Sequence, residues 1–344
     1  MYRIGDKSMP TIYDVAKKSG YSITTVSKVL NNYPHISKEA IQKVKMAVEE
    51  LGYIPDSSAR ALATKKSNMI GVVFSEAFEM GMAHPFFSEV IEGFKKQLEL
   101  YHYDLLFVSR NIDSNQNYHD HLKHRGVDGV VVINSLSDDE EIRAFNESDL
   151  PVVFIDIHIE NANVVYSDNR LGCTLAVDYL YSLGHRKIAN IAGASESFTG
   201  AQRIKGFEMA IQKHGLAIPK NYIVDGGYFS SEGGRAAMLK LLALPDRPTA
   251  VFVAGDEMAI GAIKAAKEVG VRIPQDISII GFDDISLAMH IEPSLTTIRQ
   301  DKDRIGRQAA TLLLNEINGL PREQGASIIP VRLEKRNSCR MLNG

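Results

Sequence analysis

TIYDVAKKSGYSITTVSKVLNNYPHISKEAIQKVKMAVEELGY, residues 11–53, reads as three short helices separated by two breaks. Thr11 precedes Asp14 by the spacing of a capping box, and Ile12, Val15 and Ala16 follow at helical intervals. Gly20 ends the first helix and supplies a tight turn. Ser22 caps the second helix, whose apolar positions are Val26, Val29 and Leu30, and Asn31-Asn32-Tyr33-Pro34 breaks it. Ser37 caps the third, with Ile41, Val44, Val48 and Leu51 on its buried side and Gly52 as its stop.

A helix, a glycine turn and a short second helix form the pattern of a helix-turn-helix, in which the second helix enters the major groove of DNA. With Val26, Val29 and Leu30 facing inward, the opposite face presents Ile23, Thr24, Ser27, Lys28 and Asn31. Short polar groups and a cation suit base edges and phosphates. A small helical bundle with a solvated face fits the same pattern. Charge leans toward the first reading: residues 1–67 carry eleven Lys/Arg against six Asp/Glu, whereas the remainder carries 28 basic and 36 acidic residues.

Beyond a polar connector, IPDSSARALATKKS (54–67), the chain changes character. Apolar runs at 70–74, 104–109, 129–133, 151–156, 187–193, 249–255 and 277–284 read as strands. Amphipathic stretches near 87–101, 169–183, 200–214, 231–243 and 256–269 read as helices between them. Near-continuous apolar strands alternating with helices specify an α/β fold with parallel sheets covered on both faces. A stretch of about 270 residues exceeds one such core, so two α/β lobes are expected.

The two cysteines, Cys173 and Cys339, give neither a disulfide framework nor a zinc pattern, and suit a reducing cytoplasm. Residues 1–9 read as an unstructured lead-in without the apolar stretch of a signal peptide. No apolar run is long enough to span a membrane, so no membrane partner is expected.

TIYDVAKKSGYSITTVSKVLN followed by ISKEAIQKVKMAVEELGYIP resembles the head of the lac repressor/galactose repressor family, and the resemblance runs on from about Thr11 to the C-terminus. It implies a repressor with a small all-α helix-turn-helix head over 10–55, a hinge helix over 56–67, and an effector-binding and dimerisation body over 68–340. The body is expected to have the two-lobed periplasmic-binding-protein-like fold. Lobe one is expected at about 68–167 and 297–325, and lobe two at about 168–296 and 326–340. In the head, the resemblance places base contacts on Ile23, Thr24 and Lys28. Thr11, Ser22, Ser27, Asn31, Ser37 and Tyr53 fall on positions that seat the head on phosphates. Lys28 departs from the arginine usual at its position and lacks that residue's fixed fork. SSARALA (57–63) matches the hinge helix, with Leu62 as a wedge into the minor groove. Asp56 replaces the usual asparagine; it can still cap that helix.

For the body, the resemblance implies a ligand at the carboxyl ends of strands between the lobes. Asp156, ending VVFID, Asp283, in IIGFDD, and Arg203, in AQRIKGF, match sugar-contacting positions. Carboxylates and a guanidinium suit vicinal hydroxyls, and Phe86 and Phe87 in HPFF and Tyr228 in GGYF offer apolar surface. Asp256 is a further candidate contact, or a helix N-cap. Gly255 stands where sugar binders carry asparagine, which removes one polar contact.

Catalysis has no support. Asp283 and Asp284 are adjacent at a strand end and do not flank one bond. Nucleophile-elbow, Walker A and dinucleotide motifs are absent, and no cofactor is implied. HDHLKH (119–124) lacks firm metal-ligand spacing and reads as a polar helix face. The expected partners are double-stranded, near-palindromic operator DNA, a sugar-like effector and a second copy of the chain; the tail EKRNSCRMLNG lacks the leucine repeat that would make a tetramer. Two alternatives keep the DNA-binding role: control by a phosphorylated carrier protein docking on Glu89–Tyr101, or by a nucleoside or purine. An exported sugar-binding protein fits neither the basic head nor the lead-in.

Overall fold

The computed structural model describes residues 10–31, 33–54, 66–74, 81–108, 117–134, 139–322 and 325–342. The lead-in, Asp56, Leu62 and most of the expected hinge helix lie outside the described residues. The chain divides into two compact units, Met1–Asn68 and Met69–Gly344.

In the first unit, α1 (Ile12–Ser19), α2 (Ile23–Leu30) and α3 (Lys38–Leu51) close around Val15, Val26, Val29, Val44 and Ala47. Each helix starts where its cap predicts. The Thr11 backbone N–H and hydroxyl both donate to Asp14 Oδ2, at 2.8 and 2.7 Å. Ser22 Oγ accepts from the Thr25 N–H and Ser37 Oγ from the Ala40 N–H, each at 3.2 Å. The turn between α1 and α2 runs through Gly20 at φ +76°, a left-handed conformation that a side chain would strain.

The second unit holds two six-stranded sheets. The first comprises β1 (Met69–Phe74), β2 (Asp104–Phe107), β3 (Gly129–Ile133), β4 (Val152–Ile155), β5 (Asn163–Ser167) and β11 (Ser327–Ile329), in the order β11-β5-β4-β3-β1-β2. All its pairings are parallel. The second comprises β6 (Ile188–Ala192), β7 (Ile223–Asp225), β8 (Ala250–Val253), β9 (Ser278–Asp283), β10 (Thr296–Gln300) and β12 (Val331–Glu334), in the order β12-β10-β9-β8-β6-β7. Only the edge strand β12 runs antiparallel.

Helices cover both faces of each sheet. On the first sheet, α4 (Pro85–Glu99) and α11 (Lys302–Ile317) bury one face, and α5 (Tyr118–Arg125) and α6 (Glu140–Glu147) the other. On the second, α7 (Asn169–Ser182) and α8 (Phe198–Lys213) lie opposite α9 (Ser231–Leu242) and α10 (Asp256–Glu268). Double coverage explains why β3, GVVVI, and β4, VVFI, are fully buried apolar runs instead of alternating strands.

The lobe borders differ from expectation. β10 pairs with β9 in the second sheet, so the chain crosses at Asp301, not at 297. β11 pairs with β5 in the first sheet, so the return crossing comes at Pro330, not at 326. The reason lies in backbone pairing: TTIRQ and SII are short, and TTIRQ stays in the sheet of the strand before it, whereas SII joins the distant β5.

The crossing of α4 over α11 depends on two glycines. A Cβ on Gly93 would meet the Asp303 carbonyl oxygen at 2.6 Å. One on Gly306 would meet the Val90 carbonyl oxygen at 2.1 Å. Both obstacles are backbone and cannot rotate away. Gly306→Val is therefore expected to destabilise the second unit by about 3 kcal/mol. The check is the urea midpoint of the purified variant, and an unchanged midpoint would contradict the packing argument.

Candidate functional site

The carboxyl ends of both sheets turn toward one cleft. Asn134 follows β3 and Asp156 follows β4, while Asp283 ends β9. Arg203 comes from α8, Phe86 and Phe87 from the first turn of α4, and Phe229 from the segment before α9. These residues close around a central cavity of about 20 Å³, room for about one water molecule. Admitting a larger guest requires the lobes to part.

Arg203 is only 4% exposed. Its Nε donates to Asn169 Oδ1 at 2.8 Å, and its Nη1 donates to the Ala254 carbonyl. Nη1 lies 3.6 Å from Asp283 Oδ1, and the guanidinium carbon lies 3.8 Å above the Phe282 ring. Asp283 Oδ1 also accepts from Gln300 Nε2 at 2.6 Å. Asp156, from the other lobe, has no such support: its Oδ1 is buried without a hydrogen-bond partner. Burial pushes its carboxyl up to about 7; Arg203 opposes that rise and Asp283 adds to it. Asn134 Nδ2 is likewise buried and unpartnered.

Backbone strain gathers at the same place. Asn134, Asp156, Phe229 and Asp284 adopt φ between +51° and +57°, and Asp283 lies at +117°. Each such residue costs on the order of 1–3 kcal/mol and persists only where the surrounding packing over-determines it. Asn134, Asp156 and Asp283 stand where a strand ends and a side chain is turned into the cleft.

Two contacts tie the lobes beside the cavity. His84 Nε2 lies 3.8 Å from Glu257 Oε2, while His84 Nδ1 accepts the Phe86 N–H at 3.3 Å. Lys302 Nζ donates to the Asp284 carbonyl at 2.7 Å and pairs with Glu89 Oε2 at 3.1 Å.

In the first unit, Ile23, Thr24 and Lys28 stand exposed on α2, and Ser27 is half-buried beside them. Asn31 Nδ2 donates to the Ser27 carbonyl at 2.9 Å. Thr11, Ser22 and Ser37 are exposed helix caps, and Tyr53 is half-buried against the helical core.

The first helices match the model "Bacterial regulatory proteins, lacI family" over residues 11–56. Residues 177–339 match a periplasmic binding protein-like domain. The transcriptional repressor PurR of Erwinia tasmaniensis is 37% identical over 336 residues, which are 96% of this chain and 97% of that protein. The chain belongs to the lacI family. Among solved structures, the lac repressor dimer bound to operator and the anti-inducer ONPF superposes with a TM-score of 0.83 at 29% identity, covering 97% of this chain and 100% of that one. The complex of the regulator CelR with cellobiose gives 0.74 at 30% identity, covering 96% and 99%. As a lacI-family member, the chain is a DNA-binding transcriptional repressor. No helix among its described residues is long and apolar enough to cross a membrane, and no three His, Cys, Asp or Glu among them gather as a metal site.

The structure brings Phe86, Asp156, Arg203 and Asp283 together in this repressor's cleft. It removes two expected contacts. Tyr228 is 39% exposed, and its neighbour Phe229 lines the cavity instead. Gly227 at φ +72° and Phe229 at +53° reverse the chain there, so the inward ring is the second aromatic of the pair. Asp256 is fully buried away from the cavity: it accepts the Ile285 N–H at 2.9 Å and the Thr297 hydroxyl at 2.6 Å, while Gly255 is the N-cap of α10. It braces α10 against β10 and the segment after β9. Sequence reasoning missed Asn134, Thr199 and His84. Asn134 carried a usable signal, since it follows GVVVI as Asp156 follows VVFI.

The folded chain holds the Asp156 proton up to about pH 7, whereas the unfolded chain releases it near 3.8. The contribution of Asp156 to stability therefore falls as pH rises between those values and is level outside them. Asp156→Asn removes this slope, so the variant should gain on the parent by up to about 4 kcal/mol across the window. Urea denaturation at a series of pH values reads the difference. A difference that does not change with pH would mean that Asp156 is ionised in the fold.

Proposed function

We propose that this repressor's operator affinity is set by a small sugar-like effector held between the two lobes. The chain acts as a homodimer whose two heads read the half-sites of a near-palindromic operator, and it controls genes of carbohydrate use. The observation that carries the effector reading is the pair of unpartnered buried polar atoms, Asn134 Nδ2 and Asp156 Oδ1, beside Arg203. Buried polar groups are ordinarily hydrogen-bonded, so a donor and an acceptor left open in one cavity mark a place for a ligand. The cellobiose carried by the CelR relative supports a sugar class.

A guest larger than water changes how far the lobes stand apart, because the contacts come from both sheets. If closure alters the seating of the heads, effector and operator affinities are coupled reciprocally, by roughly 1–3 kcal/mol. A thermal-shift panel of sugars, sugar derivatives and nucleosides tests the sensor. A true effector at about 100 times its dissociation constant stabilises by about 2.7 kcal/mol. The same compound must then change operator binding, and the sign of that change distinguishes induction from co-repression. A hit that stabilises the body without altering operator binding would sink the coupling.

For the head, the exposed face of α2 is the reading surface. Lys28→Ala should weaken operator binding by about 1–3 kcal/mol and relax discrimination at one base pair, as loss of a guanine contact does. Titration against the operator and its single-base variants is the check. Uniform weakening on all sequences would instead assign Lys28 to a phosphate.

A further inference from the structure

We propose that the repressor carries a second small-molecule site, outside the central cleft, that takes an apolar or aromatic α-amino acid as its zwitterion. The site is a cavity of about 380 Å³ on the flank of the second unit, where the chain leaves β5 and enters α7. Ligand pockets ordinarily run from about 300 to 1,000 Å³. Unlike the central cavity, this one admits a small guest without any parting of the lobes. The assignment does not depend on what occupies the central cleft.

The start of α8 separates the two cavities. Thr199 and Arg203 line the central one, while Phe198 and Gln202, one residue before each, line the second. No described residue lines both. Asn169 lines the second cavity and stands against Arg203: its Oδ1 accepts from Arg203 Nε at 2.8 Å, and its Nδ2 donates to the Ser167 carbonyl at 3.0 Å. Both ends of that amide are engaged, so Asn169 serves as wall.

The charges decide the class of guest. Arg170 and Asp168 both line the cavity, yet they stand two residues apart at the start of α7, a spacing at which side chains do not face each other. Arg170 Nε donates to Gln202 Oε1 at 2.8 Å, which orients the guanidinium. It pairs with no carboxylate among the described residues, and both Nη groups stay open. Asp168 Oδ1 accepts the Leu171 N–H at 2.9 Å, which leaves Oδ2 open. A carboxylate suits the open fork of an arginine, and an ammonium suits the open oxygen of an aspartate. A guest with only the carboxylate would face Asp168, and one with only the ammonium would face Arg170. A sugar would answer neither charge. A zwitterion answers both.

The remaining lining is apolar. Phe198 stacks on His158, with centroids 5.8 Å apart and planes at 16°, and Tyr166 meets the Phe198 ring edge to face at 4.8 Å. Ile328, on the edge strand β11, adds an aliphatic rim and is 52% exposed. An apolar side chain laid against these rings removes its own surface and theirs from water.

Titration calorimetry on the full chain tests this with phenylalanine, tyrosine and leucine, the amide of each, which lacks the carboxylate, and the des-amino acid of each, which lacks the ammonium. The expected result is that at least one amino acid binds, while its amide and its des-amino acid each bind more weakly by at least about tenfold. Arg170 is exposed, so Arg170→Gln should keep the parent melting transition. That variant should lose at least about tenfold in affinity for the amino acid and bind the amide as the parent does. Absence of binding by all three amino acids overturns the proposal. A des-amino acid that binds as tightly as its amino acid assigns the cavity to a plain carboxylate and overturns the zwitterion. Undiminished binding to Arg170→Gln places the amino acid elsewhere on the molecule and overturns the site.

Discussion

Arg203 gathers the cleft. From one position on α8 it reaches Asn169 at the crossing after β5, the Ala254 carbonyl after β8, and Asp283 and the Phe282 ring at the end of β9. Burying a guanidinium is expensive, and a buried ion pair is weak evidence for stability. Its role here is arrangement. Four chain segments share one rigid, planar group, which stands with the Gln300 amide beside the Asp283 carboxylate. Asp156 then approaches from the other lobe, facing a charge that is already balanced. Burial therefore prevails, and its own carboxyl is pushed up to about 7, with Arg203 opposing the rise and Asp283 adding to it. Without the arginine, two buried acids would confront each other, and lobe closure would bring like charges together.

The strained backbone belongs to the same arrangement. A strand that ends in ordinary extended conformation continues along the sheet. Left-handed φ at Asn134 and Asp156 turns the chain within one residue, so that the side chain beyond the strand enters the cleft. Asparagine and aspartate tolerate that conformation better than most residues. The requirement for a sharp turn and the requirement for a polar ligand group thus select the same residue types. Phe229 is the exception, and its cost is accepted where an apolar wall is needed.

What could be read in advance follows from these requirements. GVVVI and VVFI announce buried parallel strands because both faces are covered, and Asp156 and Asp283 are visible because they interrupt such runs. The three head helices are legible from their caps, Thr11 with Asp14, Ser22 and Ser37, because a cap acts locally. Long-range pairing is not local. TTIRQ and SII carry no mark of the sheet each joins, so the lobe crossings are not legible in the sequence. Tyr228 and Phe229 differ only in which one the turn points inward. Asp256 sits beside Gly255 at a strand end just as a ligand residue would. Only the positions of Ile285 and Thr297 reveal that its oxygens are already engaged.

Closure itself rests on few contacts. The hydrophobic clusters lie within each lobe, on the two faces of each sheet, and remain intact whether the cleft is open or shut. Across the cleft stand polar pairs: Lys302 with the Asp284 carbonyl, and His84 opposite Glu257. His84 and Lys302 are buried, so the desolvation of each offsets much of what its pair gains. The balance between open and closed forms is therefore close enough for a small ligand to tip. Lys302 also joins that balance to the packed α4–α11 pair through Glu89, so the contact that senses closure is anchored on the least yielding part of lobe one. A rigid crossing fixed by Gly93 and Gly306 moves as a unit or not at all, and that is the condition for a local closure to become a rotation of the whole lobe.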